Sequence, residues 1–133
     1  MSVIHIIKGA DCTVKFRCFT NFLDKIPIDL SQFKNIIFAV TERGNLLIEK
    51  QLKTNDITID NNNTDLVPFV ARVKLVSEDT LRLLPNSSKE PSERFYELFV
   101  IADDDSVQRI DYDNFYVEPS GYMYARRNRI SSR

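Results

Sequence analysis

The chain has 133 residues, of which 43% are hydrophobic and 28% charged, a composition typical of an ordinary soluble globular domain. It contains three glycines, five prolines and no tryptophan, which excludes collagen-like, low-complexity and wholly disordered proteins. The length fits one domain that can bury a core without disulfide or metal support. The net charge is −1, so the average charge indicates no polyanionic partner.

The charge is unevenly distributed along the chain. The last eight residues hold four arginines and no acid, so subtracting four from the net charge of −1 leaves −5 for the residues before them. No apolar segment reaches the length of a membrane span. Residues 1–8 are apolar but too short for a secretory signal, so we expect a chain made in the cytoplasm that does not enter a membrane.

The hydrophobic pattern has a period of two almost throughout, which predicts β-strands. The segments predicted as strands are 3–7, 12–19, 35–41, 46–53, 56–60, 67–76, 93–101, 107–111 and 114–118. Seven to nine short strands at regular spacing, with no convincing long helix, predict an all-β fold. We expect an antiparallel β-sandwich, immunoglobulin-like or jelly-roll-like, over residues 1–119 and a basic C-terminal tail over residues 120–133.

Local signals refine this prediction at three places. Gly44 lies between two strand patterns and can supply the positive φ of a hairpin turn. The nearly continuous apolar run of residues 35–41 predicts a central strand covered on both faces. Ser77 followed by two acids predicts the N-cap of a short helical turn.

The cysteines and the histidine are predicted to be structural. Cys12 and Cys18 are six residues apart within one predicted strand, roughly 20 Å if it is extended, so they cannot form a disulfide with each other. His5 is the only histidine, which leaves too few soft ligands for zinc. We predict two small buried thiols, a histidine with satisfied hydrogen bonds, and no metal or other cofactor.

Two groups of acids are candidate sites. Asp103, Asp104 and Asp105 follow one another, whereas a calcium loop needs ligands at alternating positions and a glycine, so a solvated turn is favoured. Glu93 and Glu97 share one face of a predicted strand and could act as paired carboxylates in sugar hydrolysis, but solvated edge charges are favoured. The sequence contains no nucleophile elbow, phosphate-binding glycine loop or metal-ligand helix motif, so we predict no catalytic residues.

The basic tail interleaves aromatic and cationic side chains. Its candidate partner-binding residues are Tyr122, Tyr124, Arg126, Arg127 and Arg129. They could dock on the acidic surface of a neighbouring subunit, belong to a frayed end, or bind nucleic acid by phosphate contact and stacking. We favour protein docking, and nucleic acid is the least favoured partner.

Seven short sequence patterns follow one another along the chain between residues 8 and 119. They are Lys8–Asp11 leading into Cys12–Phe19, Ile26–Ser31 before Lys34–Val40, Ile48–Lys50, Ile57–Asp60 with the polar turn Asn61–Asn63, Ser77–Thr80, Phe95–Ile101 and Val117–Pro119. This order resembles the β-sandwich modules of tailed-phage virion proteins, such as the N-terminal domain of baseplate upper proteins and related head-fibre and tail modules. The basic tail is not part of the resemblance.

The resemblance implies a non-enzymatic structural protein of the virion, synthesised in the cytoplasm of the host. It would be a capsid-decorating or auxiliary protein, a head-fibre anchor, or a tail or baseplate component. Its partners would be other virion proteins, namely capsid, portal, fibre or tail subunits, and further copies of itself as a homo-oligomer in the particle.

The alternative prediction is a carbohydrate-binding module that recognises a cell surface. Such a module needs exposed aromatic side chains on one sheet face or loop, and the candidates are Tyr96, Tyr112, Tyr116 and Tyr122. The absence of tryptophan weighs against it. A small hydrolase is the third and least favoured prediction.

Overall fold

The computed structural model describes residues 3–19, 28–60, 69–85 and 93–119, and eight β-strands lie within them. The strands are β1 Ile4–Ile7, β2 Cys12–Phe16, β3 Asn35–Glu42, β4 Asn45–Gln51, β5 Ile57–Asp60, β6 Val70–Leu75, β7 Arg94–Ile101 and β8 Val107–Glu118. A 3₁₀ turn at Leu30–Gln32 precedes β3, and a short helix α1, Ser77–Leu81, follows β6.

The strands form two sheets. The larger sheet has the order β1-β8-β7-β3-β4, and the smaller one has the order β2-β6-β5. The predicted all-β sandwich is confirmed. One pair departs from the antiparallel pattern, because β1 runs parallel to β8 with Ile4 opposite Phe115. With β2, β5 and β6 in one sheet and β3, β4, β7 and β8 in the other, the strand order follows the immunoglobulin-like arrangement.

The inner faces of the sheets share an aromatic centre. Phe16 of β2 meets Phe38 of β3 and Tyr96 of β7, with ring centroids 5.7 Å apart in each pair. Phe115 of β8 lies 6.5 Å from Phe38 by the same measure. Phe38, Tyr96 and Phe115 are completely buried. Each ring comes from a different strand, so the aromatic centre joins three strands of the larger sheet to β2 of the smaller one.

The hairpin predicted around Gly44 is present. Arg43 and Gly44 connect β3 to β4 with φ values of 51° and 81°, and Glu42 pairs with Asn45. A two-residue loop with positive φ at both positions is the type I′ turn, whose twist matches that of the flanking strands.

The segments 107–111 and 114–118 were predicted as two strands, and this is wrong because they are parts of β8. Leu98 pairs with Asp111 while Phe99 pairs with Arg109, so Ile110 is an extra residue in the ladder. Such a bulge shifts the alternation of side chains without ending the strand. The alternation of side chains in β8 is therefore out of phase on the two sides of Ile110.

The short helix is held by contacts with its surroundings. Its N-cap is Val76 rather than the predicted Ser77, and the Asp79 carboxylate accepts a hydrogen bond from the Val76 backbone N–H at 2.7 Å. Asp79 also pairs with Lys50 of β4 at 3.0 Å, and both side chains are largely buried. The Gly9 N–H donates to the buried Thr80 hydroxyl at 3.0 Å, which ties the β1–β2 connection to α1.

Candidate interaction surface

The outer face of the larger sheet carries a group of apolar side chains that we call the outer-face patch. Its members come from β3, β7 and β8 and are Ile37, Phe95, Phe99, Ile101, Val107 and Tyr112. Three of them are well exposed, with Phe95 at 47%, Val107 at 62% and Tyr112 at 44% of their maximal surface. The others are half-buried. Several exposed apolar side chains on one sheet face are typical of a binding site.

Strand register places the patch residues on one face of the sheet. Phe99 lies opposite Ile37 on one side and Arg109 on the other, and Ile101 pairs with Val107. Opposite residues on one face of a sheet have Cβ atoms about 4.5–5.5 Å apart, so each of these two apolar pairs is a pair of direct neighbours. Glu97 lies between Phe99 and Phe95 on β7, so the apolar side chains lie on both sides of a charged residue.

The patch explains why β3 was predicted to be covered on both faces. Its inward residues, such as Phe38, are completely buried, but Ile37 and Ala39 on the outer face are only half-buried. The apolar run therefore reflects a strand with one covered face and one apolar face that remains accessible. The same signal occurs in residues 93–101, where Phe95, Phe99 and Ile101 alternate with buried residues. Apolar residues on both faces of two neighbouring strands could have revealed the patch from the sequence.

A charged pair crosses the patch. Arg109 of β8 donates to the Glu97 carboxylate of β7 at 3.1 Å. The guanidinium carbon of Arg109 also lies 3.9 Å from the ring centroid of Tyr112, a cation–π geometry. These contacts hold Arg109 against the sheet and cover one face of the tyrosine ring.

The edge of the same sheet holds the only histidine. Nδ1 of His5 lies 2.7 Å from the Glu118 carboxylate, and its ring stacks on Tyr116 at 5.1 Å between centroids. The predicted structural role with satisfied hydrogen bonds fits these contacts. His5 is nevertheless exposed on the outer face, next to the patch strand β8.

The three consecutive aspartates lie in the β7–β8 turn at one end of the patch. Hydrogen bonds from the hydroxyl and backbone N–H of Ser106 hold the pKa of Asp104 below its usual value. Asp105 pairs with Lys34, and Asp103 is exposed. Among the described residues, no group of three or more histidine, cysteine, aspartate or glutamate side chains is placed to hold a metal ion.

The two glutamates weighed as paired catalytic carboxylates have separate partners. Glu93 pairs with Arg43 of the β3–β4 turn, and Glu97 pairs with Arg109 of β8. The side chains are partly exposed in both pairs. The geometry is that of two surface ion pairs.

A cavity of about 460 Å³ lies at the β3–β4 end of the sandwich. It is lined by Glu42, Leu46, Leu47, Arg82, Leu83, Leu84 and Arg94. Arg94 is buried and its Nε lies 3.4 Å from the Glu42 carboxylate, while Arg82 donates to the Leu47 carbonyl at 3.0 Å. Both cations therefore already have contacts within the chain.

Both thiols are free, as predicted, but of the two thiols predicted to be buried only Cys18 is. Cys18 is buried, and burial followed by the nearby carboxylate of Asp111 raises its pKa to about 12. Burial also raises the pKa of Cys12, which is only half-buried. A thiol with a raised pKa is a poor nucleophile at neutral pH.

The tyrosines predicted as sugar-stacking candidates do not form one group. Tyr96 is completely buried and its hydroxyl donates to Asp111 at 3.3 Å, so its assignment as an exposed platform is wrong. Tyr112 and Tyr116 lie on the outer face of β8. Tyr122 lies outside the described residues, as do all five candidate partner-binding residues of the tail, Tyr122, Tyr124, Arg126, Arg127 and Arg129.

Comparison with known proteins adds no relative. No protein-family model matches the sequence, and no curated protein is similar to it. Within the part of the chain that the structure describes, no helix is both long and apolar enough to cross a membrane.

Proposed function

We propose that the protein is a non-enzymatic structural component of a tailed-phage virion, which acts by binding other virion proteins and copies of itself. The observation that supports this role most directly is the outer-face patch, with Phe95, Val107 and Tyr112 exposed on strands fixed by ladder hydrogen bonds. Exposed aromatic side chains on a rigid support lose little conformational freedom when they are buried by a partner.

The fold suits a particle in which one chain is repeated many times. Each contact can then be weak, because many identical contacts act together on one assembly. A capsid-decorating or auxiliary protein, a head-fibre anchor and a tail or baseplate component all have this requirement. The immunoglobulin-like strand order is compatible with each of them and by itself assigns none.

The basic tail is the second part of the proposal. All acidic residues of the chain lie within residues 1–119, whereas Arg126, Arg127 and Arg129 lie in the tail. Arginine and tyrosine are the residue types that most often anchor protein interfaces. We propose that Tyr122, Tyr124 and the three arginines dock on a neighbouring subunit, which makes them partner-binding residues.

The test is whether the chain enters particles and whether its tail is needed. Particles of a phage that encodes the chain would be purified and analysed by mass spectrometry, with the complete chain and with residues 122–133 deleted. We expect the complete chain in the particles, a strong loss of incorporation after the deletion, and a similar melting temperature for both proteins.

Two results would contradict the proposal. Absence of the complete chain from purified particles rejects the virion role. Undiminished incorporation after the deletion rejects the docking role of the tail. A large fall in melting temperature would show that the tail packs on its own domain and would also reject docking.

Carbohydrate binding at a cell surface is the second candidate function. It is favoured by one observation, the exposed ring of Tyr112 beside the polar groups of Glu97 and Arg109. Against it, the Arg109 guanidinium covers one face of that ring. A glycan array probed with the complete chain tests this function, and binding that is lost in Tyr112→Ala but kept in Tyr116→Ala would establish it.

A further inference from the structure

Acidic side chains lie in and around the outer-face patch, together with two cations that already pair with acids, Arg109 with Glu97 and Lys34 with Asp105. Glu97 lies within the patch, Glu49 is exposed on β4 opposite Ala39, and Asp103 and Asp104 are exposed in the turn beyond Ile101. Among the described residues of β3, β7 and β8 that point outward, Arg109 is the only lysine or arginine. An apolar surface with these acids fits a partner that is both cationic and aromatic.

The tail has this chemistry. Residues 120–133 contain four arginines, two tyrosines, one methionine and one isoleucine, and no acid. Its arginines can pair with carboxylates in and around the patch, and its tyrosines can pack on phenylalanine rings of the patch. The tail also follows the described part of the chain directly, since that part ends at Pro119, after the last residue of β8.

The attachment point of the tail favours a second copy as the receiver. The patch occupies the half of β8 that contains Val107 and Tyr112, whereas the tail is attached at the opposite end, after Glu118. To reach its own patch, the tail would have to reverse after Pro119 and run back along β8. The patch of a second copy can meet the tail without that reversal.

We propose that the tail of one copy, residues 120–133, docks on the outer-face patch of a second copy. The tail arginines pair with Glu97, Glu49 and the turn aspartates, and the tail tyrosines pack against Phe95 and Phe99. This inference rests on the docking role proposed above for the tail and names the surface that receives it. Because the two contacting surfaces differ, the contact is head-to-tail and can continue from copy to copy as a ring or a chain.

The experiment measures self-association of the complete chain by sedimentation velocity. The patch variant is Val107→Lys, which places a positive charge, like those of the tail arginines, in the patch. The tail variant carries Arg126→Glu, Arg127→Glu and Arg129→Glu. The matched control is Leu84→Lys, because Leu84 is also apolar and exposed, at 76%, but lies outside the patch. We expect the patch and tail variants to associate at least tenfold more weakly than the unmodified chain, and the control to be unaffected.

A mixture of the two variants gives the decisive measurement. The patch variant retains an intact tail, and the tail variant retains an intact patch. The mixture should therefore form a heterodimer that cannot grow further, although each variant alone is monomeric. Circular dichroism of each variant verifies that it is folded.

Several outcomes would overturn the head-to-tail contact. Persistent association of the tail variant alone would indicate that two patches meet face to face. An unmodified chain that stays monomeric at all concentrations would indicate a tail that binds its own patch or a different protein. A mixture that stays monomeric would likewise reject the contact.

Failure of this contact and failure of the virion role can be told apart. A monomeric chain that still needs its tail to enter particles would reject self-docking and retain the virion role. Head-to-tail association of a chain that never enters particles would retain self-docking and reject the virion role.

Discussion

At the scale of single residues, the buried hydrogen bond between Gly9 and Thr80 has a measurable consequence. We expect Thr80→Val to lower the free energy of unfolding by about 1–3 kcal/mol, because it leaves the Gly9 N–H without its acceptor. Thr80→Ser keeps the hydroxyl and should lose less. Urea denaturation of both variants measures the two losses, and an unchanged stability of Thr80→Val would mean that the hydrogen bond contributes nothing.

Substitutions at Gly9 and Gly44 separate the cost of backbone strain from the cost of steric crowding. Both have positive φ, 79° and 81°, where a side chain costs about 1–2 kcal/mol. A Cβ at Gly9 would lie 3.2 Å from the Leu81 side chain, whereas one at Gly44 would meet nothing within 4 Å. We expect Gly9→Ala to be the more destabilising change in thermal or chemical unfolding. Equal losses would show that Leu81 moves aside without cost.

The buried thiol of Cys18 makes stability depend on alkaline pH. Its pKa rises from 9.0 to about 12 in the folded protein, so between these values the unfolded chain loses the proton first. The contribution of this group is fully present below pH 9.0 and is lost as the pH rises towards 12, by at most about 1.4 kcal/mol per pH unit.

Cys18→Ala removes this titration and should give a flatter decline of unfolding free energy above pH 9 than the unmodified chain. The variant is compared with the unmodified chain over the same pH series, since tyrosines and lysines titrate in both. Parallel curves would contradict the assignment.

At the scale of elements, α1 is too short to be stable by itself. Its five residues are held by Asp79, which accepts from the Val76 N–H and pairs with Lys50. We expect Asp79→Ala to cost about 3 kcal/mol, because it removes the cap and leaves the Lys50 charge largely buried without this partner. Asp79→Asn retains an acceptor for the cap but loses the charge, so its cost relative to the unmodified chain isolates the charge. Chemical denaturation is the measurement, and a cost below that of an ordinary surface substitution would contradict this account.

The predictability of these elements depended on whether their determinants were local. The β3–β4 hairpin was predicted because Gly44 marks its turn within the sequence itself. The bulge at Ile110 was missed because one extra residue looks like the end of a strand. The cap at Val76 was missed because the stabilising group is a side chain three residues later. The parallel pairing of β1 with β8 brings Ile4 opposite Phe115, and no local sequence pattern predicts pairing between residues so far apart in the chain.

The candidate site, too, was predictable from the sequence only where its determinants are local. The strands that carry the patch were predicted, and the apolar outer face of β7 was visible in the alternation of Phe95, Phe99 and Ile101. Which face of the sheet is covered depends on the packing of the second sheet, and that is a tertiary property. Tyr96 was therefore grouped with exposed candidates although it lies at the centre of the core.

At the scale of the whole molecule, the proposed self-association combines apolar burial with opposite charges. Added salt should weaken the charged part, because it screens exposed pairs over distances of about 10 Å at 0.1 M. We expect the dissociation constant of the unmodified chain, measured by sedimentation, to rise with sodium chloride concentration. A tail in which the three arginines are replaced by glutamine should show a smaller salt dependence, and an equal dependence would place the charged contact elsewhere.

The parallel pairing of β1 with β8 also sets an order of events during synthesis. Since Ile4 pairs with Phe115, the first strand has no partner in the larger sheet until nearly all of the described chain has left the ribosome. Contacts between residues so distant in sequence form slowly. The apolar side chains of β1 therefore remain exposed in the nascent chain, and the larger sheet is complete only once β8 has been synthesised.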